Sequence, residues 1–465
     1  MTQLIVRRQQ DASLQGRAGV PGDKSISHRA VMLAAIADGV SHVKGFLHSG
    51  DGLATLHCMR QLGIRIDEES TAGVPSLVVH GRGLRGLTAP EGELDCGRSG
   101  TTMRLMAGLL VGQAFDTRLT GDPQLLRRPM RRIVDPLRRM GAEITGIEGH
   151  APQTAFAPQT AFAPQTAFAP LTIRGTGHLR SSDHVLTVAS AQVKSAILLA
   201  ALYADGPVSV TLPGPARDHT ERMLTAHIVA APGSPPALAF SALTARLDAS
   251  AVDHLRPLIW EVPGDFSSAA FPIAAALLTG AGVTIEGVGV NPTRTGLLDV
   301  VRAMGGELAL TGLREQGGEP MADVTAQASS LSAIEVGGET VVRMIDEFPI
   351  FALLATQARG TTVVRDAAEL RVKETDRIMS VVTELQKLGA RITARPDGFI
   401  VEGPTDLQGA EVDSQGDHRL AMTLAVAGLV ARGETRVNGA ECIPDSYPGF
   451  VETLGALGAE VRYAG

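Results

Sequence analysis

The chain has 465 residues, of which 44% are hydrophobic and 3% aromatic, and it carries a formal net charge of −7. This length predicts two or more domains with aliphatic cores, and the charge argues against nucleic acid or an anionic membrane as the main partner. The apolar runs are shorter than the roughly 18 residues that suggest a membrane span, and the N-terminus has no signal-peptide core. Cys58, Cys96 and Cys442 form no CxxC pair, which favours buried thiols and a cytoplasmic protein.

The first motif along the chain is PGDKSISHRA, in which a Pro-Gly turn precedes a helix predicted from about Ser25. Ser25 and Arg29 then share one face near the helix N-terminus, where unpaired backbone N–H groups favour an anion. With Lys24 just ahead, these groups could converge on one phosphate or carboxylate. An N-cap serine with solvated charges fits the same residues, and Ser27 and His28 are interpreted as structural.

Further predicted helix starts in the first half carry groups that suit anions. They are Gly100 with its following threonines in SGTTMR, Arg128 before a proline, Ser190 and Gln192 in SAQVKSA, and Arg217 in RDHTE. We expect Arg128 to lie at a helix N-terminus, which is unfavourable for a cation without an anionic partner. Each start alone fits an ordinary capped surface helix as well.

The second half shows the same design. Asp346 precedes an apolar helix, and Arg419 follows Asp417 and His418 at the start of another. Lys373 and Arg377 stand at i and i+4, which predicts like-charge repulsion on one helix face that a bound anion would remove.

Internal repeats organise the chain. VPGDKSISHRAVMLAAIADG resembles VPGDFSSAAFPIAAALLTG, which indicates two halves built on one plan. A shorter helix–glycine–strand pattern occurs in CMRQLGIRI, VDPLRRMGAEI, VVRAMGGEL, VVTELQKLGARI and VETLGALGAEV, with ERMLTAHIVAA as a degraded sixth copy. Three such units per half predict an α/β protein.

One segment, residues 151–170, is dominated by three tandem copies of APQTAF. Proline at every sixth position favours extended or polyproline-like backbone, and the turn glycines of a β-helix coil are missing. We interpret this segment as an expanded hairpin tip between AEITGI and PLTIRG, without a chemical role.

Taken together, PGDKSISHR, SGTTMR, RRPM, SAQVKSA, RDHTE, DEFP, LRVKETDR, GDHRLAM and SYPGF resemble the enolpyruvyl transferases, and within them the branch that acts on 3-phosphoshikimate. The matches lie in order along nearly the whole chain. The resemblance implies an α/β (α+β) fold of two inside-out α/β barrel domains, each with three βαβαββ units about a pseudo-threefold axis. It places residues 1–19 and 263–465 in a C-terminal-half domain and residues 20–262 in an N-terminal-half domain, with residues 151–170 as a loop insertion.

The resemblance also implies a role for each site residue. Contacts to 3-phosphoshikimate are implied for Lys24, Ser25, Arg29, Ser190, Ala191, Gln192, Arg217, Asp346 and Lys373. Contacts to phosphoenolpyruvate are implied for Lys24, Gly100, Arg128, Gln192, Arg377 and Arg419. The implied catalytic groups are Lys24, Asp346 and Glu374, with Asp346 as the base near the substrate hydroxyl and Glu374 as the acid near the methylene.

The expected reaction transfers the enolpyruvyl group of phosphoenolpyruvate to the 5-hydroxyl of 3-phosphoshikimate, giving 5-enolpyruvylshikimate-3-phosphate and phosphate in the shikimate pathway to chorismate and aromatic amino acids. The resemblance implies no metal and no organic cofactor, and we expect a cytoplasmic monomer. Gly100 is retained where some relatives use alanine to exclude glyphosate, so we expect inhibition by glyphosate, with Leu105 as a moderator.

Two departures from the family pattern are Arg98, where many relatives have asparagine, and Asp445, where some have a phosphoenolpyruvate-binding lysine. Two alternatives stay open. One is a UDP-N-acetylglucosamine enolpyruvyl transferase, although a counterpart of its cysteine-bearing loop is not evident. The other is a non-catalytic anion-binding paralogue.

Overall fold

A computed structural model describes residues 2–8, 14–71, 74–150 and 165–464. The chain folds into two compact units. The C-half unit comprises Met1–Asp23, Pro263–Glu315 and Pro320–Gly465, and the N-half unit comprises Lys24–Val262 and Gln316–Glu319.

Helices alternate with short strands along the described chain. The α-helices are α1 (Lys24–Ala35), α2 (Gly50–Gln61), α3 (Gly100–Leu110), α4 (Pro123–Leu126), α5 (Arg131–Arg139), α6 (Ala191–Ala201), α7 (His219–His227), α8 (Phe266–Thr279), α9 (Gly296–Ala303), α10 (Glu339–Arg343), α11 (Phe348–Gln357), α12 (Arg377–Lys387), α13 (His418–Val430) and α14 (Phe450–Ala456). Short 3-10 helices cover Ala249–Ala251, Ala368–Val372 and Ala440–Asp445.

The strands are β1 (Leu4–Arg7), β2 (Gln15–Ala18), β3 (Asp38–Lys44), β4 (Arg65–Thr71), β5 (Val74–Arg82), β6 (Leu94–Asp95), β7 (Thr117–Thr120), β8 (Glu143–His150), β9 (Gln165–Arg174), β10 (Ser182–Val185), β11 (Pro207–Thr211), β12 (Ile228–Ala230), β13 (Leu238–Phe240), β14 (Thr244–Asp248), β15 (Val252–Leu255), β16 (Ile259–Glu261), β17 (Gly282–Gly289), β18 (Leu308–Gln316), β19 (Glu319–Ala326), β20 (Glu335–Val336), β21 (Gly360–Val364), β22 (Arg391–Arg395), β23 (Gly398–Gly403), β24 (Glu411–Asp413), β25 (Glu434–Asn438) and β26 (Glu460–Tyr463).

Each unit has three four-stranded sheets on the outside and three apolar helices inside. The N-half sheets have the strand orders β16-β3-β5-β4, β6-β7-β9-β8 and β10-β11-β14-β13, beside a small β12-β15 pair. The C-half sheets are β18-β19-β17-β2, β20-β21-β23-β22 and β24-β25-β1-β26. Helices α1, α3 and α6 in one unit, and α8, α11 and α13 in the other, are buried on nearly every face, as expected of helices that are apolar all round. The predicted inside-out barrels with threefold repetition are confirmed.

The repeated PGD motif has a structural role inside the C-half unit, which includes the chain as far as Asp23. Gly22 forms a β-bridge to Gly264, at the equivalent point of the second motif. Arg294 is buried and donates hydrogen bonds to Asp23 at 3.0 Å and to Asp265 at 3.2 Å. Both copies of the motif therefore supply a buried carboxylate to the same guanidinium.

Two irregular parts of the sequence are the degraded sixth repeat and the segment with three copies of APQTAF. Helix α7 contains ERMLTAH and runs directly into β12 without the usual glycine. Strands β8 and β9 pair antiparallel from Glu143↔Arg174 to His150↔Gln165, so the predicted hairpin is present. The predicted loop bounds of 151–170 are too wide, because residues 165–170, which include most of the third APQTAF copy, belong to β9. Residues 151–164 themselves lie outside the described residues.

Two further sequence-based expectations concern the cysteines and the apolar runs. Cys58, Cys96 and Cys442 are all buried thiols without a disulfide, as predicted. In the part of the chain that the structure describes, none of the helices has both the length and the apolar character that crossing a membrane requires.

Candidate functional site

In the N-half unit, helices α3 and α6 lie side by side and point the same way. Arg104 of α3 contacts Gln192 of α6, and one turn further along Gly108 lies against Ala196, where an added Cβ would come within 2.1 Å of the Ala196 carbonyl oxygen. The N-termini of both helices therefore lie next to each other. Their unpaired N–H groups and aligned dipoles create a positive potential that suits an anion.

Arg29 is fixed by three helices of the same unit. Its side chain is 4% exposed and donates to the Ser25 carbonyl oxygen at 2.8 Å, to Thr220 Oγ1 at 2.7 Å and to Ser195 Oγ at 2.8 Å. Ser25 and Arg29 thus lie together as the i and i+4 spacing predicts. Arg217 lies two residues before the first residue of α7, the helix that carries Thr220.

His28 and Ser27 have the structural roles expected of them. His28 Nδ1 lies 2.6 Å from Thr55 Oγ1, and Ser27 Oγ accepts a hydrogen bond from the backbone N–H of Leu47. Both side chains are buried in these contacts.

Lys24 pairs with a carboxylate that the sequence analysis missed. Its Nζ lies 2.5 Å from Asp51 Oδ2, in the first turn of α2. Burial alone would raise the pKa of Asp51, but the charges of Lys24, His28 and Arg128 outweigh it, and the pKa lies below its usual value. The only local signal was an acidic residue ahead of the CMRQLGIRI repeat, which also fits a favourable dipole interaction at a helix N-terminus with no ligand.

Gly100 faces two guanidinium groups. A Cβ added to this residue would lie 3.0 Å from Arg104 Nη1 and 3.3 Å from Arg128 Nη1. The Arg128 guanidinium has no hydrogen-bond partner among the described residues, although it is close enough to Asp51 to act on its pKa. The absence of a side chain at Gly100 thus leaves space in front of two cations.

The predicted position of Arg128 at a helix N-terminus is wrong. Helix α4 ends at Leu126 and α5 begins at Arg131, so Arg128 lies in the turn between them, where its N–H donates to the Leu125 carbonyl. Met130 is the N-cap of α5, and its N–H donates to the Ala167 carbonyl oxygen of β9, so the residue that precedes the helix is held against a distant strand.

Gln192 connects α6 to α3. Its Nε2 donates to Thr101 Oγ1 at 3.0 Å, and its Oε1 accepts from Arg104 Nη1 at 2.6 Å. Ser190 is the N-cap of α6, and Ala191 is the first helical residue. Arg104 was not among the predicted site residues, and its helical spacing from Gly100 was the only signal that could have identified it.

In the C-half unit, Arg377 is surrounded by carboxylates. It is 2% exposed, and it lies 2.7 Å from Glu374, 2.8 Å from Asp417 and 3.5 Å from Asp346. Lys373 Nζ lies 3.8 Å from Asp346. The structure therefore brings together four of the predicted site residues, namely Asp346, Lys373, Glu374 and Arg377.

The expectation that Lys373 and Arg377 share a helix face is wrong. Lys373 follows the 3-10 helix Ala368–Val372, whereas Arg377 is the first residue of α12. Their repulsion is relieved by a carboxylate of the chain itself, because Asp346 is within ion-pair distance of both.

The charges around Arg377 also set the ionisation of Glu374. Burial alone would raise the pKa of Glu374, but Arg377 and His418 outweigh it and lower the pKa to about 2. Burial likewise opposes the charge of Arg377, but Glu374 and Asp417 raise its pKa above the usual value. Glu374 is therefore a carboxylate at neutral pH in the unliganded protein.

Arg419 differs from Arg377 in its surroundings. It lies in the first turn of α13, whose N-cap Asp417 accepts from the Arg419 backbone N–H at 2.9 Å. Its guanidinium has no hydrogen-bond partner within the described residues, so its donors can serve a ligand.

Arg98 and Asp445, which depart from the family pattern, and Leu105 lie in three different parts of the fold. Arg98 is 71% exposed at its side chain and pairs with Asp122 at 3.0 Å. Asp445 ends the 3-10 helix Ala440–Asp445. Leu105 is fully buried in the N-half core, so any effect on a ligand has to pass through packing of α3.

Comparison with known proteins gives a consistent result. Residues 8–454 match the family model described as EPSP synthase (3-phosphoshikimate 1-carboxyvinyltransferase). The 3-phosphoshikimate 1-carboxyvinyltransferase of a Geobacter species is 48% identical over 95% of this chain and 96% of its own length. The enzyme of the same name from Brevibacillus brevis is 46% identical over 97% and 99%. The structure of EPSP synthase from Acinetobacter baumannii superimposes with a TM-score of 0.87 at 39% identity, covering 100% of both chains.

Proposed function

Because the chain belongs to the EPSP synthase family, we propose that it transfers the enolpyruvyl group of phosphoenolpyruvate to the 5-hydroxyl of 3-phosphoshikimate, with release of phosphate. This reaction is a step of the shikimate pathway towards chorismate and the aromatic amino acids. The observation that carries the proposal is the family match along nearly the whole chain, with the motif residues retained at Lys24, Asp346 and Glu374.

We assign 3-phosphoshikimate to polar groups of both units. In the N-half unit these are Lys24, Ser25, Arg29, Ser190, Ala191, Gln192 and Arg217, and in the C-half unit they are Asp346 and Lys373. The hydrogen bonds that fix Arg29 support this assignment, because a guanidinium held in one orientation loses little entropy when it binds a phosphate.

We assign phosphoenolpyruvate to cations whose positions suit its carboxylate and phosphate. These are Lys24, Arg128, Arg377 and Arg419, with Gln192 and the open space at Gly100. The unpartnered guanidinium groups of Arg128 and Arg419 support the assignment, since buried or half-buried cations without partners favour an anionic ligand.

In the proposed addition step, the oxygen of the 5-hydroxyl bonds to C2 of phosphoenolpyruvate, and the carboxylate of Asp346 accepts the hydroxyl proton. Glu374 protonates C3 in the same step, with Lys24 close to the developing charge. The tetrahedral intermediate then loses a proton from C3 and releases phosphate as the C2–O bond to the phosphate breaks. Such proton transfers contribute about 10²–10⁴-fold, and stabilisation of charge by the surrounding cations contributes further.

The low pKa of Glu374 has a consequence for this mechanism. Glu374 has to hold a proton before it can act as an acid, and in the unliganded protein the Arg377 charge at 2.7 Å opposes that. An anionic substrate on Arg377 would neutralise part of this charge and raise the pKa of Glu374. Binding of phosphoenolpyruvate thus prepares its own proton donor.

We also propose that glyphosate inhibits the enzyme, because its carboxylate and phosphonate suit the same cations and Gly100 leaves room for it. The unpaired thiols are in keeping with a cytoplasmic location. The monomeric state stays a prediction, to be checked by light scattering.

Phosphate release from 3-phosphoshikimate and phosphoenolpyruvate tests the proposal. We expect turnover by the wild type, a loss of at least about 10²-fold in kcat for Lys24→Ala and Glu374→Gln, and normal turnover for the exposed control Arg98→Ala. Activity with UDP-N-acetylglucosamine instead would identify the other branch of the family. Binding of both substrates without phosphate release would identify a non-catalytic paralogue.

A further inference from the structure

Arg104 is a buried cation for which the proposed reaction so far has no use. It is 7% exposed, its Nη1 donates to Gln192 Oε1, and its Nε has no hydrogen-bond partner in the described chain. Burial, with the nearby charges of Arg132 and Arg128, lowers the pKa of Arg104 to about 9. Such a cation is costly to bury unless it serves a ligand or orients a group that does.

The contact between Arg104 and Gln192 is built into the packing of α3 on α6. One turn further along, Gly108 allows the helix backbones to approach so closely that a Cβ would lie 2.1 Å from the Ala196 oxygen. Because the helices run parallel, this approach also fixes the separation at Arg104 and Gln192, whose Nη1 and Oε1 are 2.6 Å apart. The short bond is therefore a consequence of the helix pair and not of a flexible surface contact.

This bond determines which way the Gln192 carboxamide points. Arginine has only donors, so the atom of Gln192 that faces it must be the oxygen, and the amide nitrogen must face the other way. One N–H of that nitrogen goes to Thr101 Oγ1 at 3.0 Å, and the other has no partner among the described residues. A glutamine without this restraint can present either its oxygen or its nitrogen, and only the nitrogen suits an anion.

We propose that Arg104 is a positioning residue for phosphoenolpyruvate, which holds the Gln192 carboxamide so that an N–H and not an oxygen faces the anionic substrate. The proposal rests on the proposed function, in which Gln192 contacts that substrate. Arg104 acts through Gln192 and does not itself touch the reacting atoms.

Steady-state kinetics of Arg104→Met, Gln192→Leu and the double variant test this proposal. We expect Arg104→Met to raise the KM for phosphoenolpyruvate by about 10- to 100-fold, with a much smaller effect on the KM for 3-phosphoshikimate. Because Arg104 acts through Gln192, the double variant should be no worse than Gln192→Leu alone. The exposed Arg132→Gln removes a neighbouring charge but not the contact, and its KM should stay within about twofold of the wild type.

The Arg104→Lys variant adds a second measurement, the pH dependence of the KM for phosphoenolpyruvate, which a purely structural role of Arg104 would not change. This measurement remains informative even if Arg104→Met fails to fold. A lysine buried beside Arg128 is expected to lose its proton as the pH rises from about 6 to 9. The KM for phosphoenolpyruvate should therefore rise with pH in this variant and more steeply than in the wild type.

Two results would overturn the proposal while the wild type remains active. One is an additive loss in the double variant, and the other is an Arg104→Lys profile that parallels the wild type. A wild type that releases no phosphate would instead refute the proposed function, so the two failures are distinguishable.

Discussion

Gly108 is a position at which a single added methyl group should strongly destabilise the N-half unit. In Gly108→Ala the added Cβ would lie 2.1 Å from the Ala196 carbonyl oxygen and 2.7 Å from its Cα, whereas real Cβ atoms essentially never come closer than 3.0 Å. Because both neighbours are backbone atoms, no side chain can rotate away, and α3 and α6 have to separate by roughly 1 Å.

The magnitude follows from two opposing effects. Alanine is favoured over glycine inside a helix by about 1 kcal/mol, and overpacking costs about 3 kcal/mol when the surroundings cannot yield. The net loss of about 2 kcal/mol should lower the melting temperature by about 4–8 °C for a unit of this size. The same separation lengthens the bond between Arg104 and Gln192, so the KM for phosphoenolpyruvate should rise as well.

Gly100→Ala is the matched control, since it makes the same change in the same helix. The atoms nearest to its Cβ are the ends of the Arg104 and Arg128 side chains, 3.0 Å or more away, and these can shift by a few tenths of an ångström more easily than backbone atoms can. We therefore expect an unchanged or slightly higher melting temperature with weaker binding of phosphoenolpyruvate. Thermal unfolding followed by circular dichroism checks both variants. If Gly108→Ala melts at the wild-type temperature, the close approach of the two helices is refuted.

Three further predictions concern stability, inhibition and pH. Glu221→Gln leaves the fully buried Lys194 without its carboxylate partner, so the free energy of unfolding should fall by about 3–5 kcal/mol. Replacing both residues by apolar ones should restore most of this stability. A Glu221→Gln variant as stable as the wild type in thermal unfolding would contradict the prediction. Glyphosate should compete with phosphoenolpyruvate, less so in Gly100→Ala, and full activity in millimolar glyphosate at subsaturating phosphoenolpyruvate would rule that out. The depressed pKa means that ionised Glu374 stabilises the fold above pH about 4.3, a contribution lost as the pH falls through about 2. In the Arg377→Met variant the pKa of Glu374 should return towards about 4.3, as measured by NMR titration. An unchanged pKa would show that Arg377 is not the cause of the shift.

Local rules were sufficient for the capped helix starts and for the five clear repeats. The side chains of Ser190 and Asp417 cap their helices by accepting hydrogen bonds from N–H groups two or three residues further along the chain. Such short-range contacts can be predicted from residue type and spacing alone. The five clear helix–glycine–strand repeats likewise identified one edge strand in five of the six four-stranded sheets, namely β4, β8, β18, β22 and β26. In both cases the relevant partners are close in sequence.

The predictions failed, or were missing, where a distant partner decided the outcome. The N-cap of α5, Met130, is bonded to Ala167, a contact that no local rule for the neighbouring Pro129 contains. Arg104 and its partner Gln192 are 88 residues apart, and Arg294 and Asp23 are 271 apart. Such pairs become visible only when the fold brings their elements together, and buried charges depend most on them.

Product analysis tests the central claim most directly. The wild type is incubated with phosphoenolpyruvate and 3-phosphoshikimate, and the mixture is examined by mass spectrometry and ³¹P NMR. We predict that 5-enolpyruvylshikimate-3-phosphate and inorganic phosphate appear in equal amounts, without added metal or cofactor. Absence of this product, or an enolpyruvyl ether formed only when UDP-N-acetylglucosamine is supplied, would contradict the account.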